Sequence, residues 1–102
     1  MRKILVQEVY GILKEWDMVS GQADFCLDWL SHSECYLRAL KMKDAEPSIG
    51  AVAILSSRLL NAAEQLAIDP SYQSLVDQLH SLSRRCREIV DADAIQFELS
   101  LI

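Results

Sequence analysis

His32 and Cys35 are three residues apart, a spacing that would place a base beside a nucleophilic thiol on one face of a helix. The residues around Cys35 follow an apolar pattern, however, and this favours a buried thiol over a reactive one. The second histidine, His80, is distant in sequence, and neither an HExxH nor a CxxC spacing nor a glycine-rich phosphate loop occurs. We therefore expect no enzymatic activity, no metal site and no cofactor.

A group of basic residues offers a different chemistry, because Arg38, Lys41 and Lys43 accompany His32, with Glu34 as the sole acid among them. Arg38 and Lys41 are three residues apart and would share a helix face. Arginine can bind guanine with two hydrogen bonds, whereas lysine suits phosphates. The chain as a whole has a net charge of −5, but the field at a surface is set by charges within a Debye length of about 10 Å. This stretch is therefore a candidate DNA-binding surface in an acidic protein.

The elements that would position these residues are helices, since apolar residues recur at three- and four-residue steps and only three Gly and two Pro occur. A chain of 102 residues is long enough for one core, so we expect a single all-α domain over 1–102. The predicted helices span residues 2–18, 21–30, 32–43, 49–67 and 70–91.

Three local signals predict where helices begin. Ser31 and Glu34 have the spacing of a capping box, which would start the third helix near residue 32. Ser48 is a suitable N-cap for the fourth helix, and Asp69 followed by Pro70 is a start signal for the fifth. A tight corner between the second and third helices then predicts a helix-turn-helix core.

The C-terminal third of the chain holds two further patterns. In the tail, 94–102, apolar residues alternate with polar ones, which favours a short strand over a last helical turn. The fifth helix has an apolar seam with steps of four and three residues, which packs either on the first and fourth helices or on a second copy of the chain. Residues 70–102 are thus a possible dimerisation helix and tail. The seam residues are Leu75, Leu79, Leu82, Cys86 and Ile89.

Residues 20–60 resemble the helix-turn-helix of the Cro/C1-type (XRE-like) repressors. The matching positions are Gln22, Phe25-Cys26, Ser31, Ser33, Leu37, Leu40 and Pro47-Ser48, although Ser31 and Lys43 stand where that family usually has glycine. The chain is also similar to small uncharacterised bacterial proteins through Asp24-Phe25, Trp29-Leu30, Ser33, Tyr36, Leu40-Lys41 and Pro47-Ser48. The resemblance implies a third helix in the major groove of DNA. The DNA-facing residues would be Gln22, His32, Ser33, Glu34, Tyr36, Arg38, Lys41 and Lys43.

Two functions from different classes follow. The first is a small transcriptional regulator that binds DNA as a homodimer, because helix-turn-helix proteins of this size usually need a twofold partner to span two half-sites. The second is an acidic protein-protein interaction module, such as an anti-activator or accessory protein, with the same fold.

The three cysteines suggest reduced, buried thiols in a cytoplasmic protein, and no apolar run predicts a membrane span or signal peptide.

Overall fold

The computed structural model describes residues 1–101, and these residues form an all-α domain, as the apolar spacing predicts. Five α-helices follow one another, one turn of 3₁₀-helix precedes the last of them, and the described residues contain no strand. The helices are α1 (Arg2–Glu15), α2 (Gln22–Asp28), α3 (Tyr36–Lys43), α4 (Ile49–Leu66) and α5 (Gln73–Ser100), and the 3₁₀ turn is Pro70–Tyr72.

The core is organised around α4 and α5, which form an antiparallel hairpin and pack along each other. One cluster of buried side chains joins this hairpin to α1, α2 and α3, with Phe25 and Leu59 among its fully buried members. The predicted central position of α4 is confirmed, since its buried residues occur along its whole length. Although α4 is apolar on most of its circumference, neither it nor any other helix in residues 1–101 is long and apolar enough to cross a membrane.

Two of the predicted start signals are confirmed. The Ser48 hydroxyl accepts a hydrogen bond from the Ala51 amide at 3.1 Å, which satisfies one of the unpaired N–H groups at the start of α4. A cap of this kind stabilises a helix by about 1 kcal/mol. The Asp69 carboxylate accepts from the Ser71 amide at 3.0 Å, but it caps the 3₁₀ turn that leads into α5 rather than α5 itself.

The predicted start of the third helix near residue 32 is wrong, because α3 begins at Tyr36 and no side chain caps it. The reason lies at the end of α2. Ser31 has a left-handed backbone with φ 55°, and the chain turns back there so that the His32 amide donates to the Cys26 carbonyl at 2.9 Å. The residues expected to open α3 instead close α2, so the predicted capping box with Glu34 does not form.

The predicted C-terminal strand is also wrong. The helical hydrogen bonds of α5 continue to Ser100, and no strand exists in residues 1–101 to pair with the tail. All residues from 91 to 101 are exposed, so the end of α5 projects from the domain. Ile102, the last residue of the predicted strand, lies outside the described residues.

At the other end of the chain, α1 stops three residues earlier than predicted, where Asp17 adopts a φ of 61°.

The apolar seam of α5 packs within the chain. Leu75, Leu79, Leu82 and Cys86 are buried in the core, and Ile89 is half-buried beside it. Of the two alternatives for the seam, packing inside one chain is therefore the one that the fold uses. The four buried residues offer no surface to a second copy.

Candidate nucleic-acid interface

The third helix is attached to the domain by one face and exposes the other. Leu37 is buried in the core and Leu40 is half-buried against it, which fixes the orientation of α3. Arg38 and Lys41 stand on the remaining, exposed part of the helix, as their three-residue spacing predicts. The short helix therefore exposes two cations on the side opposite its packed residues.

An open groove with a volume of about 730 Å³ runs between α1 and α3 and contains part of the predicted site. Three of the eight predicted DNA-facing residues, Gln22, Arg38 and Lys41, line it together. Lys3 and Gln7 of α1 lie across from them and were not predicted. They are four residues apart and so share a helix face, but nothing in the sequence indicates that this face lies opposite α3. The apolar floor of the groove consists of Ile4, Leu37, Leu40 and Pro47.

Two acidic residues lie at the groove, Asp44 in its lining and Glu46 close by in the chain, and each contacts a cation at the start of the chain. The ammonium group of Lys3 lies 3.2 Å from the Asp44 carboxylate. The Glu46 carboxylate accepts hydrogen bonds from the amino terminus of Met1 at 2.7 Å and from the backbone amide of Lys3 at 3.1 Å. The first of these bonds is the main cause that holds the pKa of Glu46 below its usual 4.5, and the Lys3 amide and charge add to it. Each of the two carboxylates is thus paired with a cation of the same chain.

Arg38, Lys41 and Lys43, by contrast, form no ion pair within the described chain. The Arg38 guanidinium donates to the Cys35 sulfur at 2.9 Å, a contact that directs the side chain along the start of α3 without neutralising it. The charges of these cations therefore remain available to an anion from outside the domain.

His32 and Tyr36, two further residues of the predicted DNA-facing set, pack on each other and are not part of the groove lining. Their rings stack with centroids 3.7 Å apart and planes inclined by 7°. The Tyr36 hydroxyl accepts a hydrogen bond from the Ser48 amide at 2.9 Å, which ties the beginning of α3 to the beginning of α4. These two side chains thus hold α3 in place and lie away from the groove.

The remaining predicted residues are also outside the groove. Ser33 and Glu34 are exposed in the connection before α3, and the Ser33 carbonyl accepts from the Tyr36 amide at 3.0 Å. Lys43 is the last residue of α3 and is exposed. These three residues flank the groove along the chain but do not line it.

The cysteines differ from the sequence-based expectation at one position. Cys26 and Cys86 are buried as predicted, but Cys35 is exposed, because it lies in the irregular connection rather than on the inner face of a helix. Burial raises the pKa of the Cys86 thiol to about 11, although the charge of Arg85 acts in the opposite direction. No group of three or more His, Cys, Asp or Glu side chains among residues 1–101 is arranged to hold a metal ion.

Comparison with known proteins identifies a family but no characterised relative. The model of a family of unknown function, DUF6626, matches residues 6–98, which include all five helices in whole or in part. No curated protein and no solved structure matches the chain.

Proposed function

The chain belongs to DUF6626, a family of unknown function, and we propose that it is a small transcriptional regulator that binds DNA as a dimer, with α3 as the reading helix. The observation that carries the proposal is the convergence of Gln22, Arg38 and Lys41 at one exposed groove, where Lys3 of α1 adds a fourth polar group. These residues come from three helices, and all of them donate hydrogen bonds. Such a set suits the phosphates and base edges of a nucleic acid.

The net charge of −5 does not by itself oppose this proposal, because Asp44 and Glu46, the acids that follow α3, are paired, and Glu34, which has no ion pair within the described residues, does not line the groove. Asp44 is held by Lys3, and Glu46 is held by the amino terminus. Phosphates within a Debye length of about 10 Å would therefore meet Arg38 and Lys41, and the carboxylate in the groove lining, Asp44, is already the partner of Lys3. Affinity would remain modest, since few phosphates are neutralised, and it would fall steeply with salt.

Each groove residue has a distinct role in the proposal. Arg38 is the base-reading residue, because its guanidinium can bond guanine O6 and N7 together. Lys41 contacts phosphate, and Gln22 at the start of α2 donates to phosphate or to an adenine edge. The connection between α2 and α3 has seven residues, 29–35, whereas a helix-turn-helix usually has three or four. The orientation of α3 on DNA would therefore depend on the Tyr36–Ser48 hydrogen bond.

Fluorescence anisotropy with labelled genomic duplexes at low salt tests the proposal. Arg38→Ala is expected to weaken binding by roughly 5- to 150-fold, the value of one bidentate base contact, and Lys41→Ala to reduce the salt dependence by about one phosphate contact. Arg58→Ala, which removes an exposed cation of α4 on another surface, is the matched control and should change the affinity less than about twofold. No measurable binding, or equal losses in all three variants, would contradict the proposal.

An interaction module is the second candidate, and the apolar floor of the same groove favours it. Ile4 is 69% exposed there, and Leu37, Leu40 and Pro47 extend the apolar area below it. An amphipathic helix of a protein partner would bury these residues. Ile4→Ser separates the two functions, because it should abolish capture of a protein partner from the native cell and leave DNA affinity unchanged. DNA affinity that is lost in Arg38→Ala and retained in Ile4→Ser would favour the regulator.

A further inference from the structure

The projecting end of α5 carries an apolar stripe that no part of the described chain covers. Ile95 is 58% exposed and Leu99 is 60% exposed. Both continue the helix face of Ile89 and Ala92, because the four residues follow one another at steps of three, three and four. We propose that this stripe is a self-association surface, on which the same segment of a second copy packs in the antiparallel direction. The inference gives the dimer of the proposed function its contact surface and is tested without DNA.

The stripe leads directly into a groove at the base of the projection. This second groove lies between the start of α1 and α5, and its lining includes Met1, Ile4 and Leu5 on one side and Ile89 and Ala92 on the other. Ile89 and Ala92 therefore belong both to the groove and to the stripe. A helix that lies on the stripe would insert its apolar side chains into the groove without a change of direction.

The order of the residues along α5 fits a second copy of this chain. In an antiparallel pair that crosses near Ala92, each Ile95 would lie opposite Ile89 of the other copy, and each Leu99 would lie opposite Arg85, at the edge of the groove. Ile95 and Leu99 are about 6 Å apart along the helix, and the same separation joins Ile89 to Arg85. One chain thus contains both the projecting side chains and the groove that receives them. A twofold interface requires this self-complementarity.

Charge supports the antiparallel direction. The part of α5 before the crossing exposes Arg84 and Arg87 together with Glu88 and Asp91, and the part beyond it exposes Asp93 and Glu98. Parallel copies would place each of these charges beside its own counterpart, whereas antiparallel copies that cross near Ala92 place Glu98 of one helix between Arg84 and Arg87 of the other. None of these six residues has an ion-pair partner within residues 1–101. Arg85, which faces the groove, is already paired with Glu8.

Sedimentation equilibrium of the full chain, without nucleic acid, tests this surface. Wild-type protein is expected to be a dimer at micromolar concentration, and Ile95→Glu and Leu99→Glu are each expected to shift it to monomer while the domain still unfolds cooperatively in urea. The matched control is Phe97→Glu, because Phe97 is 63% exposed on the same projection but lies on the face of Val90 and Ala94. A monomeric wild type, or a loss of the dimer in Phe97→Glu equal to that in Leu99→Glu, would overturn the proposal.

A charge exchange tests the direction of pairing. Arg84→Glu and Glu98→Arg should each weaken the dimer roughly fivefold, because two exposed ion pairs are lost in the symmetric dimer, and the double variant should recover most of that loss because the attraction is restored with its sign reversed. If the double variant instead weakens the dimer by the product of the two single effects, the two residues do not interact and the antiparallel arrangement is overturned. The two proposals fail separately: a monomer that binds DNA refutes this surface alone, and a dimer without DNA affinity refutes the proposed function alone.

Discussion

The hydroxyl groups of Ser56 and Ser83 each donate a hydrogen bond to the backbone carbonyl of the other residue, at 2.9 and 2.7 Å. Both serines are buried between α4 and α5, in a core that is otherwise apolar. The exchange is possible only where these two residues lie opposite each other. It therefore specifies the register of the α4–α5 hairpin, which apolar packing alone would define less sharply.

This exchange predicts a stability difference between two adjacent serines. Ser56→Ala should lower the free energy of unfolding by about 1 kcal/mol, because one buried hydrogen bond is lost. Ser57→Ala, the matched control on the exposed side of α4, should change it by less than about 0.5 kcal/mol. Urea denaturation measures both values. Equal effects of the two substitutions would show that the buried pair does not stabilise the hairpin.

The ion pair between Glu8 and Arg85 predicts a pH dependence. The Arg85 guanidinium donates to both Glu8 oxygens, at 2.6 and 3.1 Å, and this bond holds the pKa of Glu8 below its usual 4.5. A lowered pKa means that the stabilisation is complete above the unfolded-state value and is lost as the pH falls through the folded-state value. Because both side chains are more than one-third exposed, we expect only about 0.5 kcal/mol.

Denaturation of wild type and Glu8→Gln between about pH 7 and pH 3 measures this contribution. The two proteins should differ at neutral pH and converge in acid. Glu15→Gln is the control, since Glu15 is an exposed residue of the same helix and forms no ion pair within the described residues. A constant difference between wild type and Glu8→Gln across this range would exclude the ion pair as its cause.

The positions of the three cysteines predict selective alkylation. Cys35 is exposed and should react with iodoacetamide in the native protein, whereas Cys26 and Cys86 should react only after unfolding. The pKa of Cys86, raised to about 11 by burial, further reduces its thiolate fraction at neutral pH. Mass spectrometry of the labelled native protein should therefore show one modified thiol, absent from Cys35→Ser. Labelling of Cys86 at a similar rate would contradict the packing of α5 in the core.

The left-handed residue that ends α2 predicts a stabilising glycine. Ser31 has a φ of 55°, a conformation that is unfavourable by about 1–2 kcal/mol for a residue with a side chain and that glycine adopts readily. Ser33→Gly is the matched control in the same connection, because Ser33 has no positive φ. In thermal or urea denaturation, Ser31→Gly should be the more stable of the two variants by about 1 kcal/mol. The reverse order would contradict the assigned backbone.

The sequence predicts those parts of the fold that local signals determine. The apolar steps of α4 and the Ser48 cap depend on neighbouring residues alone, and both predictions are confirmed. The start of α3 is different, because Ser31 can either cap a following helix or close the preceding one. The hydrogen bond from the His32 amide to the Cys26 carbonyl forms only when Ser31 closes α2. No residue pattern decides between the two without the packing of α2.

The candidate groove could be predicted only in part, because some of its residues are brought together by packing between helices. Arg38 and Lys41 are found by their spacing within one helix, and Gln22 by the resemblance to repressors. Lys3 and Gln7 reach the groove through a contact between α1 and the connection after α3, about 40 residues away in the chain. The strand predicted for the alternating tail, 94–102, is wrong because alternation leads to a strand only where another strand can pair with it.

The projecting end of α5 has a consequence for the lifetimes of its backbone hydrogen bonds. Residues 91–100 are helical, but none of their side chains is buried. A helix of this length is marginal in water without tertiary support, so its amides open with a small free energy while those around Leu79 require disruption of the core. In an isolated chain, amide hydrogen exchange should therefore proceed inward from Ser100 and stop where α5 meets α4. Coverage by a second copy would extend protection outward to the end of the helix.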